Sequence, residues 1–61
     1  MTGKALRRIR KRLALSQAAL AERMAVSPNT VARWERGELP IRGAMARLVE
    51  LVADAEEREK E

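Results

Sequence analysis

The sequence predicts an all-α protein, a compact bundle of four helices. Three observations carry that expectation. Ala, Leu and Arg are abundant and favour helix, while the few β-branched residues show no sustained alternation. Apolar residues recur at helical spacing in four separate segments. Residues 16–37, SQAALAERMAVSPNTVARWERG, carry two serine start signals, a proline just inside the second and a glycine at its end. That punctuation marks two short helices joined by a tight turn.

The first helix is expected from about Gly3 to Leu13, with Thr2 as its N-cap and Leu6, Ile9 and Leu13 as one apolar stripe. Arg7, Arg8, Lys11 and Arg12 lie off that stripe, and Arg10 flanks it. The second helix starts at Ser16, whose hydroxyl can accept from an otherwise unpaired N–H. Leu20, Ala21 and Met24 form its inward face, and Ala18 and Ala19 permit close approach by a neighbour. The turn falls at Ala25 to Ser27, with Val26 inward. Ser27 and Pro28 then open the third helix, 28–36, on which Val31 and Trp34 share the core face and which Gly37 ends. Glu38-Leu39-Pro40 connect to a last helix beginning near Ile41 or Arg42 and reaching about Arg58, with Gly43 in its first turn. Its apolar residues, Leu48, Val49, Leu51 and Val52 among them, cover nearly half the helix, wider than a single core stripe needs. One explanation is a fully used core face in a small protein. The other is that Leu51 or Val49 also touches a second copy of the chain, giving a homodimer through helix 41–58.

At 61 residues the chain holds one domain, 1–61, with a core over about 4–53 and a charged tail, 54–61, expected to fray. The core residues are Leu6, Ile9, Leu13, Leu20, Met24, Val31, Trp34, Leu48 and Val52. A domain this small buries little surface, so helix packing must carry its stability, with help from a dimer partner where one exists. There is no Cys and no His, which removes disulfides, the usual metal ligands and the usual general base. With no Gly-rich phosphate loop and no room for a pocket, an enzyme is not expected, nor any cofactor or metal. No apolar run approaches the roughly 20 residues that span a bilayer. No signal peptide is evident, so a cytoplasmic protein is the default expectation and no membrane partner is expected.

Charge is polarised. Residues 1–12 hold six positive side chains and no acid, whereas residues 54–61 hold five acids against Arg58 and Lys60; the net charge is +4. A basic end suits a polyanion, although a solvated helix face looks the same in sequence. Asn29 and Arg33 lie four apart on the third helix, on a face nearly opposite Val31. Asn can bond adenine and Arg can bond guanine, each with two hydrogen bonds; the bland alternative is an exposed polar face. Trp34, the only aromatic residue, suits the core better than a base-stacking surface.

LSQAALAERMAVSPNTVARWERG resembles the helix-turn-helix of the Cro/C1-type, phage-repressor-like DNA-binding domains. The likeness rests on Leu15-Ser16-Gln17, Leu20-Ala21, Val26-Ser27, Thr30-Val31, Trp34-Glu35-Arg36-Gly37, the Gly37 to Pro40 spacing and the upstream Leu6 to Arg10 pattern. It covers about residues 4–53 and implies a lambda-repressor-like bundle of four or five helices, the fifth here missing or merged into a longer fourth. Ala25 departs from the pattern, since Gly is frequent in that turn; a left-handed Ala25 costs roughly 1–2 kcal/mol, whereas an Ala25 that merely ends the helix costs nothing. The Asn29-x-x-x-Arg33 spacing before an aromatic-Glu-x-Gly ending is also similar to the recognition helix of MqsA/YgiT-type antitoxins.

These resemblances imply a sequence-specific DNA-binding regulator, a repressor, that reads the major groove of double-stranded DNA with helix 28–36. Asn29 and Arg33 are expected to contact bases. Pro28 stands where relatives often carry a polar reader and offers only apolar contact, as to a thymine methyl group. Gln17, Thr30, Arg36 and Arg42 are expected on phosphates, with Arg47 less well placed. Arg10 and Glu35 are expected to form a structural ion pair. Two bidentate readers per helix are too few for a unique genomic address, which argues for a dimer on a palindromic operator. The competing expectation is a module of helix-turn-helix shape, or an antitoxin component, whose main partner is a protein. An RNA-binding or compaction role is disfavoured by the lone aromatic.

Overall fold

The computed structural model describes residues 1–59. Four helices follow in order: α1 (Gly3–Arg12), α2 (Gln17–Met24), α3 (Pro28–Glu35) and α4 (Gly43–Glu59). Among the described residues there is no strand and no fifth helix; α4 alone runs 17 residues. α2 and α3 pack most extensively on each other, α1 lies against α3, and α4 closes on α2. None of the helices is long and apolar enough to cross a membrane.

The first three helices start alike. Thr2, Ser16 and Ser27 sit in extended conformation and accept from the N–H three residues on, of Ala5, Ala19 and Thr30, at 3.1, 3.0 and 3.2 Å. They also end alike. After α1, Ala14 N–H donates to the Lys11 carbonyl and Leu15 N–H to that of Arg10. After α2 the same two bonds run from Ala25 to Glu22 and from Val26 to Ala21; after α3 they run from Gly37 to Trp34 and from Glu38 to Arg33. This paired closure requires one left-handed residue, and φ is +59° at Ala14, +58° at Ala25 and +77° at Gly37. Ala25 therefore takes the left-handed form in the turn. Ala14 does too, and nothing in the sequence marks it, because alanine carries no signal for that conformation.

The core forms where α1, α2 and α3 meet α4. Leu6, Leu20, Ala21, Met24, Val31, Trp34 and Val49 are buried in one cluster, and Leu13 and Ala53 are also buried. Three expected core residues need correction: Ile9, Leu48 and Val52 are only partly buried and pack on the cluster's flank. The reason is the rotation of α4. Val49 and Ala53, four apart, form its inward line, so Leu48 and Val52 sit beside that line. Val49, expected near an edge where a second copy could reach it, is wholly inside at 0% exposure. Leu51 is 50% exposed. Ile41 lies in the connector and packs on the core, and α4 begins beyond it, with the Arg42 carbonyl accepting from Ala46 N–H at 2.9 Å.

The acidic run is not a frayed tail over residues 54–59, which belong to α4. Glu56 pairs with Arg23 of α2, and Glu57 with Arg12 of α1 at 2.8 Å. Within α4, Asp54 and Arg58 pair at 3.0 Å. The acidic end of the chain is thus folded onto cations of the first two helices. Residues 60 and 61 of the expected tail lie outside the described residues.

Close packing also fixes a glycine. A Cβ on Gly3 would stand 2.4 Å from the Trp34 carbonyl oxygen and 2.7 Å from that of Glu35. The start of α1 rests directly on the backbone at the end of α3, and only hydrogen fits between them.

Candidate nucleic-acid interface

The outer face of α3 follows from what its inner face must do. Val31 and Trp34 are driven into the core. At 100° per residue that leaves Asn29, Arg33 and Arg36 within a 60° arc on the far side, and all three are exposed. Arg36 lies one residue beyond the last helical residue but keeps helical dihedrals, φ −82° and ψ −5°, so it extends the same row. Pro28 is exposed at the first helical position, and Thr30 is half-buried beside it. The Ser27 and Thr30 hydroxyls lie 2.9 Å apart in hydrogen-bond contact at the helix start.

The start of α2 meets the end of α3 through a part-buried polar network. Arg10 of α1 donates from Nε to Glu35 Oε2 at 2.6 Å and from Nη2 to Glu35 Oε1 at 2.9 Å. Its remaining nitrogen, Nη1, donates to the Leu15 carbonyl at 3.1 Å. Gln17 Nε2 completes the set by donating to Glu35 Oε1 at 3.2 Å. The side chains of Arg10 and Glu35 are only 12% and 5% exposed. The hydrogen bonds from Arg10 hold the Glu35 carboxyl below its ordinary range; burial opposes this, and the Gln17 bond and the charges of Arg10 and Arg7 add to it. Arg10 is correspondingly raised by its bonds to Glu35. One carboxylate therefore ties together α1, the first residue of α2 and the last residue of α3, fixing the angle at which α2 and α3 are presented. The Gln17 side chain is occupied in this network, which sequence reasoning did not foresee. What α2 offers at that position is the backbone N–H groups of Gln17 and Ala18, since that of Ala19 is capped by the Ser16 hydroxyl.

Glu38 is the residue that sequence reasoning passed over. The chain reversal at Gly37 ties Glu38 N–H to the Arg33 carbonyl at 3.0 Å. This brings its carboxylate back along the exposed row of α3. Arg36 donates to it twice, from Nε at 2.5 Å and from Nη2 at 3.3 Å, and Arg33 Nε stands 3.8 Å from Oε1. The Arg36 hydrogen bonds hold the Glu38 carboxyl below its usual value; desolvation opposes this, and the charges of Arg36 and Arg33 add to the lowering. The available signal was the glycine itself, since a left-handed C′ residue folds the next side chain back over the last turn.

The remaining candidates scatter. Arg42 is exposed at the start of α4. Arg47 lines an open groove between α1 and α4 with Ile9, Arg12 and Leu51. Lys4, Arg7, Arg8 and Lys11 of α1 are exposed.

Comparison with known families gives one finding. The model of the helix-turn-helix family matches residues 6–55, which includes all of the first three helices except the first turn of α1, and most of α4. Neither curated proteins nor solved structures gave a match to the chain.

Proposed function

Since this chain belongs to the helix-turn-helix family, of the Cro/C1 type of DNA-binding regulators, we propose that it is a repressor that occupies an operator with α3 in the major groove. The carrying observation is the exposed row of Asn29 and Arg33, set opposite the buried pair Val31 and Trp34 on a helix whose orientation is locked by Glu35. Asn29 reads adenine and Arg33 reads guanine, while Pro28 contributes apolar contact. Backbone N–H groups at the start of α2, beside Gln17, receive one phosphate; Thr30 and Arg42 receive others, and Arg36 stays engaged by Glu38. No chemistry is involved: occupancy excludes other proteins from the same DNA.

Two bidentate contacts, each worth about 1–3 kcal/mol of discrimination, specify too little sequence for one monomer. Two copies on a palindrome double that readout. Leu51, exposed on α4 and beside the partly buried Ile9 of α1, supplies an apolar point for pairing.

The test is fluorescence anisotropy on a duplex operator, over a salt series with competitor DNA. Asn29→Ala and Arg33→Ala should each lose roughly tenfold or more of competitor-resistant binding, and the titration endpoint should give two chains per palindrome. Unchanged binding in both variants, removable by competitor, contradicts base reading and favours a protein partner.

A further inference from the structure

We propose that Glu38 is a positioning residue for sequence reading: its carboxylate attracts Arg33 at Nε across a 3.8 Å charge contact, leaving the terminal nitrogens for a base edge and biasing the side chain away from phosphate. This deepens the proposed function and rests on α3 being the reading helix.

The geometry carries the argument. The backbone of Glu38 is tied by its own N–H to the Arg33 carbonyl, which delivers the carboxylate beside the Arg33 side chain. Arg36 saturates much of that carboxylate, with two bonds to its two oxygens. Arg33 approaches the remaining side of Oε1 through Nε, at 3.8 Å. Nε is the inner nitrogen of the guanidinium, and the two terminal nitrogens beyond it form the fork that matches guanine O6 and N7. A contact at Nε is compatible with that fork engaging a base. It is not compatible with Arg33 swinging aside to a phosphate, which would break the contact and bring phosphate toward a carboxylate. Glu38 thus disfavours the non-specific use of Arg33 and tolerates the specific one. A protein with few base readers gains most from such a device, because its discrimination depends on keeping each reader on the bases.

The experiment compares wild type with Glu38→Gln on an operator and on random-sequence duplex, over a salt series. The change is isosteric at an exposed position, and thermal denaturation checks that the fold is retained. Glu50→Gln is the control for net charge, since Glu50 is an exposed carboxylate in the α1–α4 groove. The expected result is random-sequence binding several-fold tighter in Glu38→Gln, with a log–log salt slope steeper by about one unit. Operator binding should be unchanged or weaker, so the operator-to-random ratio falls about tenfold. In an Arg33→Ala background, Glu38→Gln should leave the ratio unaltered, because its partner is gone. Equal tightening on both DNAs, matched by Glu50→Gln, overturns the positioning role and leaves the DNA-reading function intact. Failure of the wild type to prefer any duplex sequence overturns that function, and the positioning role with it.

Discussion

Ala14 and Ala25 hold positive φ with a side chain that resists it, at roughly 1–2 kcal/mol each. Gly37 makes the same turn without that cost. Ala14→Gly and Ala25→Gly should therefore each stabilise the protein by about 1 kcal/mol, less what glycine's extra freedom costs in the unfolded chain. Urea denaturation checks this, and either glycine variant being less stable than wild type would contradict the account. Gly3 behaves oppositely. Its φ is unremarkable, but a Cβ would strike the carbonyls of Trp34 and Glu35. Gly3→Ala should cost about 1–3 kcal/mol by forcing α1 off α3, even though alanine is the better helix former. Circular dichroism melting measures the loss. At this scale the sequence was unevenly legible. Ser27-Pro28 and Gly37 announce their turns because their chemistry suits few other positions. Ala14, Gly3 and Glu38 announce nothing, because what fixes them is a neighbour brought close by folding.

Among elements, the Arg10–Glu35–Gln17 network joins three helices, and its charge state sets a pH dependence. The Glu35 carboxyl lies below its ordinary value of 4.5 in the folded protein. The unfolded chain then takes up this proton first as pH falls. The network's contribution is complete above about pH 5 and is lost as pH drops through the folded value. Removing one partner leaves a buried charge and should cost about 3–5 kcal/mol. In a domain this small Glu35→Gln is at risk of unfolding. Arg10→Met/Glu35→Leu, which removes both charges together, should fold and show a shallower loss of stability between pH 6 and pH 3 than wild type. Urea midpoints across that range decide it; an equal slope in the two proteins would place the acid sensitivity elsewhere. The pairing of Arg10 with Glu35 could be expected from family resemblance, since both sit at fixed places in the motif. The rotation of α4 could not. Its apolar arc is so broad that the sequence reading put Leu48 inward and Val49 at an edge, and only packing against the core cluster puts Val49 inside.

For the whole molecule, the two charged ends of the sequence turn out to be neighbours. Arg12 and Arg23 are engaged by Glu57 and Glu56. Such exposed or half-exposed pairs contribute little stability, under about 1 kcal/mol each. They do withdraw two cations from any surface field. Lys4, Arg7, Arg8 and Lys11 of α1 stay exposed, Arg7 close enough to act on Glu35 of α3, while Arg33 and Arg36 on the outer row of α3 face Glu38. Attraction to random DNA is accordingly expected to be modest for a chain of net charge +4. On the proposed reading, discrimination comes from α3 and from pairing of two copies. The four-helix bundle was readable because every helix carries a periodic apolar face and most carry a start or stop signal. The reach of α4 to about Arg58 was readable as well, but the docking of its acids on Arg12 and Arg23 was not, because Glu-rich sequence is as compatible with a solvated end as with a helix held by arginines elsewhere in the fold.

The most direct test of the central claim is selection from a random-sequence duplex library, comparing wild type with Arg33→Ala. The wild type should enrich a palindrome, and Arg33→Ala should relax the preference at one base pair in each half-site, a guanine, while leaving the other positions readable. Enrichment of no sequence by the wild type, or an identical selected motif from the variant, would contradict the claim that α3 reads DNA through Arg33.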